Sequence, residues 1–196
     1  TIVKRYSEIN MIFWEKLERG EINRRQTLVG RFAALFEELG VSVEAGLAED
    51  MYENLLCIGH YFMPGAEALL ETLHGKYHLY ICSNGSKKVQ DSRIASSGIA
   101  KYFDGIFVSE EMGLNKPDKR YFEACFAQIP DFRRENSIMV GDSLTSDIKG
   151  ARNAGLRSVW LNPSHKALTG DAAPDYEIDA LEKLPILLAK LSELSE

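Results

Sequence analysis

No run of apolar residues in this 196-residue sequence approaches the ~20 needed to cross a bilayer, so no membrane-spanning helix is expected. Positive charge is short as well. The 23 lysines and arginines stand against 29 aspartates and glutamates, a net charge of −6, which excludes the basic footprint of an extended nucleic-acid surface while leaving a single nucleotide possible as a ligand. Cysteines are few and odd in number, and Cys57, Cys82 and Cys125 lie too far apart for a paired ligand or redox pattern. Free thiols in a reducing compartment, the cytoplasm, are expected. Internal repeats, low-complexity segments and an initiator methionine are also lacking. The chain opens at Thr1 directly into a helical pattern, so a preceding segment is expected.

What is present divides into two styles. Residues 1–62 show helical spacing only: Ile9, Ile12, Phe13 and Leu17 form one stripe, and Leu28, Phe32, Leu35, Phe36 and Leu39 form a second, ended by Gly40. A third helix is predicted from Ala45 to Ile58. Trp14 and Phe32 are expected in the core of this all-helical block.

From residue 63 to 196, apolar runs of strand length alternate with amphipathic stretches. Strands are predicted at Tyr77–Cys82, Ile106–Val108, Ser137–Val140, Ser158–Leu161 and Tyr176–Ile178. Helices are predicted from Pro64 to a stop at Gly75, from Ser86 to about Ser97, from Pro117 onward, from Ile148 to Ala154, and from Leu181 to Leu194. Such alternation makes a parallel, doubly wound α/β sheet, here with a small helical domain before it.

Three places could carry chemistry. Val140-Gly141-Asp142 ends a buried strand in an acid, and Asp147 follows five positions later; carboxylates at the C-terminal rim of a parallel sheet suit a hard cation such as Mg²⁺. A turn cap at Asp142 and a helix start at Asp147 explain the same residues. Ser83 follows a buried strand and precedes a helix, where its hydroxyl and nearby N–H groups, helped by Gly85, suit a phosphate oxygen; a plain N-cap serine is the alternative. Lys116 precedes a proline that holds it extended, so its ammonium could neutralise a phosphate or a carboxylate cluster, or simply be solvated.

The joint order of Ser83-Asn84-Gly85, Lys116-Pro117 and Gly141-Asp142 with Asp147 resembles the second, third and fourth motifs of the haloacid dehalogenase superfamily of phosphohydrolases. Residues 1–62 are similar to the helical cap of one branch. Tyr6 to Trp14, Gly30-Arg31-Phe32, and Val108 to Gly113 with Lys116 to Lys119 look most like its bacterial pyrimidine-nucleotidase group. The resemblance implies an Mg²⁺-dependent phosphomonoesterase acting on a small phosphorylated metabolite. Asp142 would bind the metal, Ser83, Asn84 and Lys116 the phosphate, and Asp147 would hold Asp142 or Lys116 in place. Arg31 would either read the substrate or pack within the cap.

The family's first motif, Asp-x-Asp after the central strand, does not occur here. In the family it supplies the aspartyl nucleophile, so residues 1–196 alone are expected to be inactive, with the central strand missing between those ending at Cys82 and Val140. A non-catalytic phosphate-binding module, a phosphosugar mutase and a metal-free dehalogenase are the alternatives. The last has Ser-Asn where this chain has Gly141-Asp142.

Overall fold

The computed structural model describes residues 1–170 and 173–193. They form two compact units, Thr1–Gly59 and His60–Glu196.

The first unit is built from helices α1 (Ile2–Glu18), α2 (Arg24–Leu39) and α3 (Ala45–Leu56). Asn23 and Gln26 form a reciprocal capping box at the start of α2, and Gly40 ends it in the left-handed conformation at φ 63°. Ile9, Leu17, Phe32 and Leu35 form the buried apolar side, whereas Ile12 and Leu39, also members of the two predicted stripes, are exposed. Trp14 is only half-buried; its indole N–H donates to Asn10 Oδ1 at 3.1 Å.

Arg31 lies inside this unit, 5% exposed. Its guanidinium donates to Glu49 Oε2 at 2.8 Å and Asn10 Oδ1 at 2.7 Å. It also lies over the rings of Tyr52, Phe32 and Tyr6, at 5.2, 5.4 and 5.9 Å. Of the two readings of Arg31, packing within the helical block is the one observed, because every donor direction described is occupied by the block itself.

Burial pushes the Glu49 carboxyl above the usual range, and Arg31 only partly offsets this. Between the ordinary carboxylate range and the raised folded value, the folded unit holds a proton that the unfolded chain has lost. The stability tied to Glu49 is therefore present in acid and declines as pH rises through that window. Denaturation of wild type and Glu49→Gln across the acidic to neutral range should show wild type losing ground to the variant as pH rises; a gain would contradict the desolvation argument.

The second unit carries the parallel strands β1 (Tyr80–Ser83), β2 (Gly105–Val108), β3 (Ile138–Gly141), β4 (Arg157–Leu161) and β5 (Tyr176–Ile178). Its helices are α4 (Ala66–Leu73), α5 (Lys87–Ser97), α6 (Ser109–Met112), α7 (Lys119–Phe126), α8 (Lys149–Ala154) and α9 (Leu184–Glu193). Residue Leu194 of the last predicted helix lies outside the described residues.

Strand β1 pairs with β2, and β3, β4 and β5 form a second group in that order, all parallel. No ladder joins β1 to β3 among the described residues. Alternate side chains go to opposite faces: Ile138 and Val140 pack with Leu73, Val159, Ile178 and Leu184, while Met139 packs with Phe107, Tyr121, Phe122 and Ala154. Helices α4 and α9 thus cover one face and α7 and α8 the other, the doubly wound arrangement that the alternating pattern predicts.

Several boundaries differ from the sequence reading: α3 ends at Leu56 and not Ile58, α4 begins at Ala66 after Gly65 and not at Pro64, and α9 begins at Leu184 after a 3₁₀ turn over Leu181–Lys183. Others lie in β1, α7 and the turn before α8. Strand β1 starts at Tyr80 and not Tyr77, since its ladder partner begins only at Gly105 and Leu79 instead bonds to Asp104, donating to its Oδ2 at 3.0 Å and accepting from its amide at 2.8 Å. Helix α7 starts at Lys119, capped by Asp118 and not opened by Pro117. Before α8, Leu144–Ile148 form a single π-helical turn, with the amide of Ile148 donating to the carbonyl of Ser143.

Candidate active site

Lys116 occupies the centre of the site. It is 6% exposed, in a loop whose Lys116–Pro117 peptide bond is cis. Its Nζ donates to the carbonyl of Cys82 at 2.6 Å and to Asp147 Oδ1 at 2.6 Å. Cys82 lies near the end of β1, and Asp147 lies just beyond β3. One ammonium therefore draws together the C-terminal ends of two strands that share no ladder. That rim is where ligands bind in open α/β sheets.

Asp147 reaches the lysine because of the π turn and a glycine. The extra residue in the turn carries Asp147 back toward β3, where its Oδ2 accepts from the amide of Ser143 at 3.1 Å. An added Cβ at Gly141 would fall on the Asp147 carboxylate, so only glycine fits there. Both members of the pair have side chains 8% exposed, a geometry in which each charge depends on the other.

Ser83 ends β1, and its hydroxyl oxygen accepts from the amide of Gly85 at 3.0 Å. The cap of α5 is Ser86, whose Oγ faces the amide of Val89, so the plain N-cap explanation does not apply to Ser83. The side chain of Asn84 is turned to the lysine loop: its Oδ1 accepts from the amide of Lys116 at 2.8 Å and its Nδ2 donates to the carbonyl of Lys116 at 2.9 Å. From the other side, Asn153 Nδ2 donates to the carbonyl of Pro117 at 2.8 Å.

Asp142 differs from Asp147 in every respect. It is exposed, and its carboxylate has no hydrogen-bonding or ionic partner among the described residues. Its backbone is held from β4, where the indole N–H of Trp160, 2% exposed, donates to the Asp142 carbonyl at 3.1 Å. No group of three or more His, Cys, Asp or Glu suited to a metal occurs among the described residues. A single exposed carboxylate at the strand end nevertheless fits Mg²⁺, which is ordinarily held by one or two carboxylates, substrate phosphate and water.

Cys57, Cys82 and Cys125 form no disulfide among the described residues. A hydrogen bond from Cys125 holds the Cys82 thiol below the usual range against the effect of burial, with the Lys116 charge assisting. Sequence reasoning did not find Trp160, Asn153 or the Cys82 carbonyl as parts of this arrangement. For Trp160 a signal existed, since a buried tryptophan in a strand needs a partner for its N–H.

A family model for haloacid dehalogenase-like hydrolases matches residues 2–155. The chain belongs to that family. It is 40% identical over 179 residues to the HAD-hydrolase YfnB of Bacillus subtilis, covering 91% of this chain and 76% of that protein. It is 34% identical to pyrimidine 5′-nucleotidase PynA of Streptococcus pneumoniae, over 91% of this chain and 76% of PynA. Pyrimidine 5′-nucleotidase YjjG of Escherichia coli is likewise 34% identical, over 94% of this chain and 81% of YjjG. The magnesium-bound crystal structure of YfnB superposes with a TM-score of 0.90 at 39% identity, covering 95% of this chain and 82% of that one. Among the described residues, no helix is long and apolar enough to cross a membrane.

Proposed function

We propose that this haloacid dehalogenase-like hydrolase is an Mg²⁺-dependent phosphomonoesterase whose substrate is a small phosphorylated metabolite, with nucleoside monophosphates the favoured class. The observation that carries the reading is the Lys116 ammonium, buried at the strand ends with two of its three N–H groups committed to Cys82 and Asp147. Its remaining N–H and the Ser83 hydroxyl supply donors for the non-bridging oxygens of a phosphoryl group, where positioning and charge stabilisation carry most of the rate. Asp147 keeps the ammonium oriented. Asp142 would hold Mg²⁺, which supplies charge neutralisation of the phosphate. The magnesium-bound YfnB structure and the nucleotidases PynA and YjjG support the metal and the substrate class.

In this reading, residues 1–62 are the helical cap, and the aspartyl nucleophile comes from a strand outside residues 1–196 that pairs between β1 and β3. Residues 1–196 alone then do not turn over. Cysteines outside any disulfide suit the cytoplasm. Asn84, with both ends of its amide on the Lys116 backbone, serves as a positioning group and not as a direct phosphate ligand.

A screen of the full-length gene product against phosphate monoesters with Mg²⁺ tests this. Release of inorganic phosphate from nucleoside monophosphates is the expected result. Binding of phosphate without release from any monoester would favour the non-catalytic module instead.

A further inference from the structure

The Lys116–Pro117 turn is gripped from two sides by side chains that do not touch the Lys116 ammonium itself. Asn84, just beyond β1, closes a two-bond clamp on the amide and carbonyl of Lys116, at 2.8 and 2.9 Å. Asn153, on α8, donates to the next carbonyl along, that of Pro117, at 2.8 Å. Helix α8 also comes close to this turn at Gly150, where an added Cβ would meet the Phe122 ring and sit 3.3 Å from Pro117 Cα. Three consecutive backbone polar groups of a two-residue segment are thus satisfied by two asparagines from different elements. Extended loops rarely satisfy their backbone groups this way without a reason for rigidity.

We propose that Asn153, with Asn84 as its counterpart, is a positioning residue that fixes the backbone from which Lys116 projects, and so sets where its ammonium sits against Cys82 and Asp147. This deepens the phosphomonoesterase reading and rests on it for its catalytic consequence. Its physical content, the confinement of Lys116, stands independently.

Asn153 is exposed and lies outside both apolar clusters, so Asn153→Ala and the near-isosteric Asn153→Asp should fold. The carboxylate introduced by Asn153→Asp keeps the shape of the amide and, ionised, cannot donate to Pro117.

The test has a readout that needs no turnover. Lysines of the full-length protein are acetylated with acetic anhydride and the rate at each site is followed by mass spectrometry. A confined, ion-paired amine reacts slowly. In both variants Lys116 should acetylate several-fold faster than in wild type, while the exposed Lys101 and Lys119 react as before and the melting temperature falls by only the few degrees that one lost hydrogen bond costs. The second readout is kinetic. Asn153→Ala should lower kcat by about 10-fold, as small misplacements of a catalytic group do. In a Lys116→Met background the same change should have no further effect. Asn153→Ser or Asn153→Gln restoring the donor bond would restore both readouts together.

An unchanged Lys116 acetylation rate overturns the proposal whatever the activity. Equal acceleration at all lysines also overturns it, because that signals general loosening. Faster acetylation at Lys116 alone, in a protein that releases no phosphate from any monoester, leaves the clamp standing and removes the phosphatase reading.

Discussion

Replacing Asp147 by asparagine is expected to cost about 3–5 kcal/mol in stability and nearly all turnover in the full-length protein. The side chain loses its charge while Lys116 stays buried, so the penalty is that of an ammonium with no counter-charge, and not merely of a lost hydrogen bond. The amide can keep one contact to Lys116, but its Nδ2 end then meets the amide of Ser143, a donor facing a donor. Stability and catalysis separate in a second variant. Lys116→Met combined with Asp147→Leu removes both charges and should recover much of the stability, since apolar replacements of buried pairs are often neutral. Activity should not return. Denaturant titrations beside phosphate-release assays read the two quantities. Recovery of turnover in the double variant would show that the pair is structural only.

Asp142→Asn should match it in turnover but not in stability. The carboxylate is exposed and without a partner among the described residues, so stability should change by less than about 0.5 kcal/mol. Turnover by the full-length protein should nevertheless fall by about 10²-fold or more, and the Mg²⁺ concentration needed for half-maximal activity should rise, because a neutral amide is a weak ligand for a hard cation. Two acids five residues apart would then be alike in turnover and differ in stability, Asp142 silent and Asp147 central. Mg²⁺-dependent turnover at the wild-type level would remove Asp142 from the metal site.

The contrast between these acids also shows how much was legible beforehand. The apolar run Ile138 to Val140, its glycine and its acids place a strand and a rim, and the alternation after residue 63 gives a parallel sheet with helices on both faces. These depend on local periodicity, which sequence carries directly. The ion pair of Lys116 with Asp147 spans 31 residues and depends on a π turn. A shift from i→i−4 to i→i−5 hydrogen bonding leaves no periodic trace over five residues. The asparagine contacts are equally hidden, since Asn84 and Asn153 lie 32 and 36 residues from their partners. Ser-Asn-Gly reads as a phosphate loop, and only the folded chain shows the asparagine turned to hold the lysine. Arg31 illustrates the reverse case. An arginine in an apolar helix stripe is ambiguous until its surroundings are seen, and here Glu49, Asn10 and three aromatic rings enclose it.

The claim on which the rest depends is that the Lys116 ammonium at the strand ends is a phosphoryl-binding group of a hydrolase. Its most direct test is the rate of inorganic phosphate release from a nucleoside monophosphate, with Mg²⁺, by full-length wild type and by Lys116→Met. The expected result is metal-dependent release by wild type, abolished by chelation and lost in the variant. Equal release by both proteins would contradict the account.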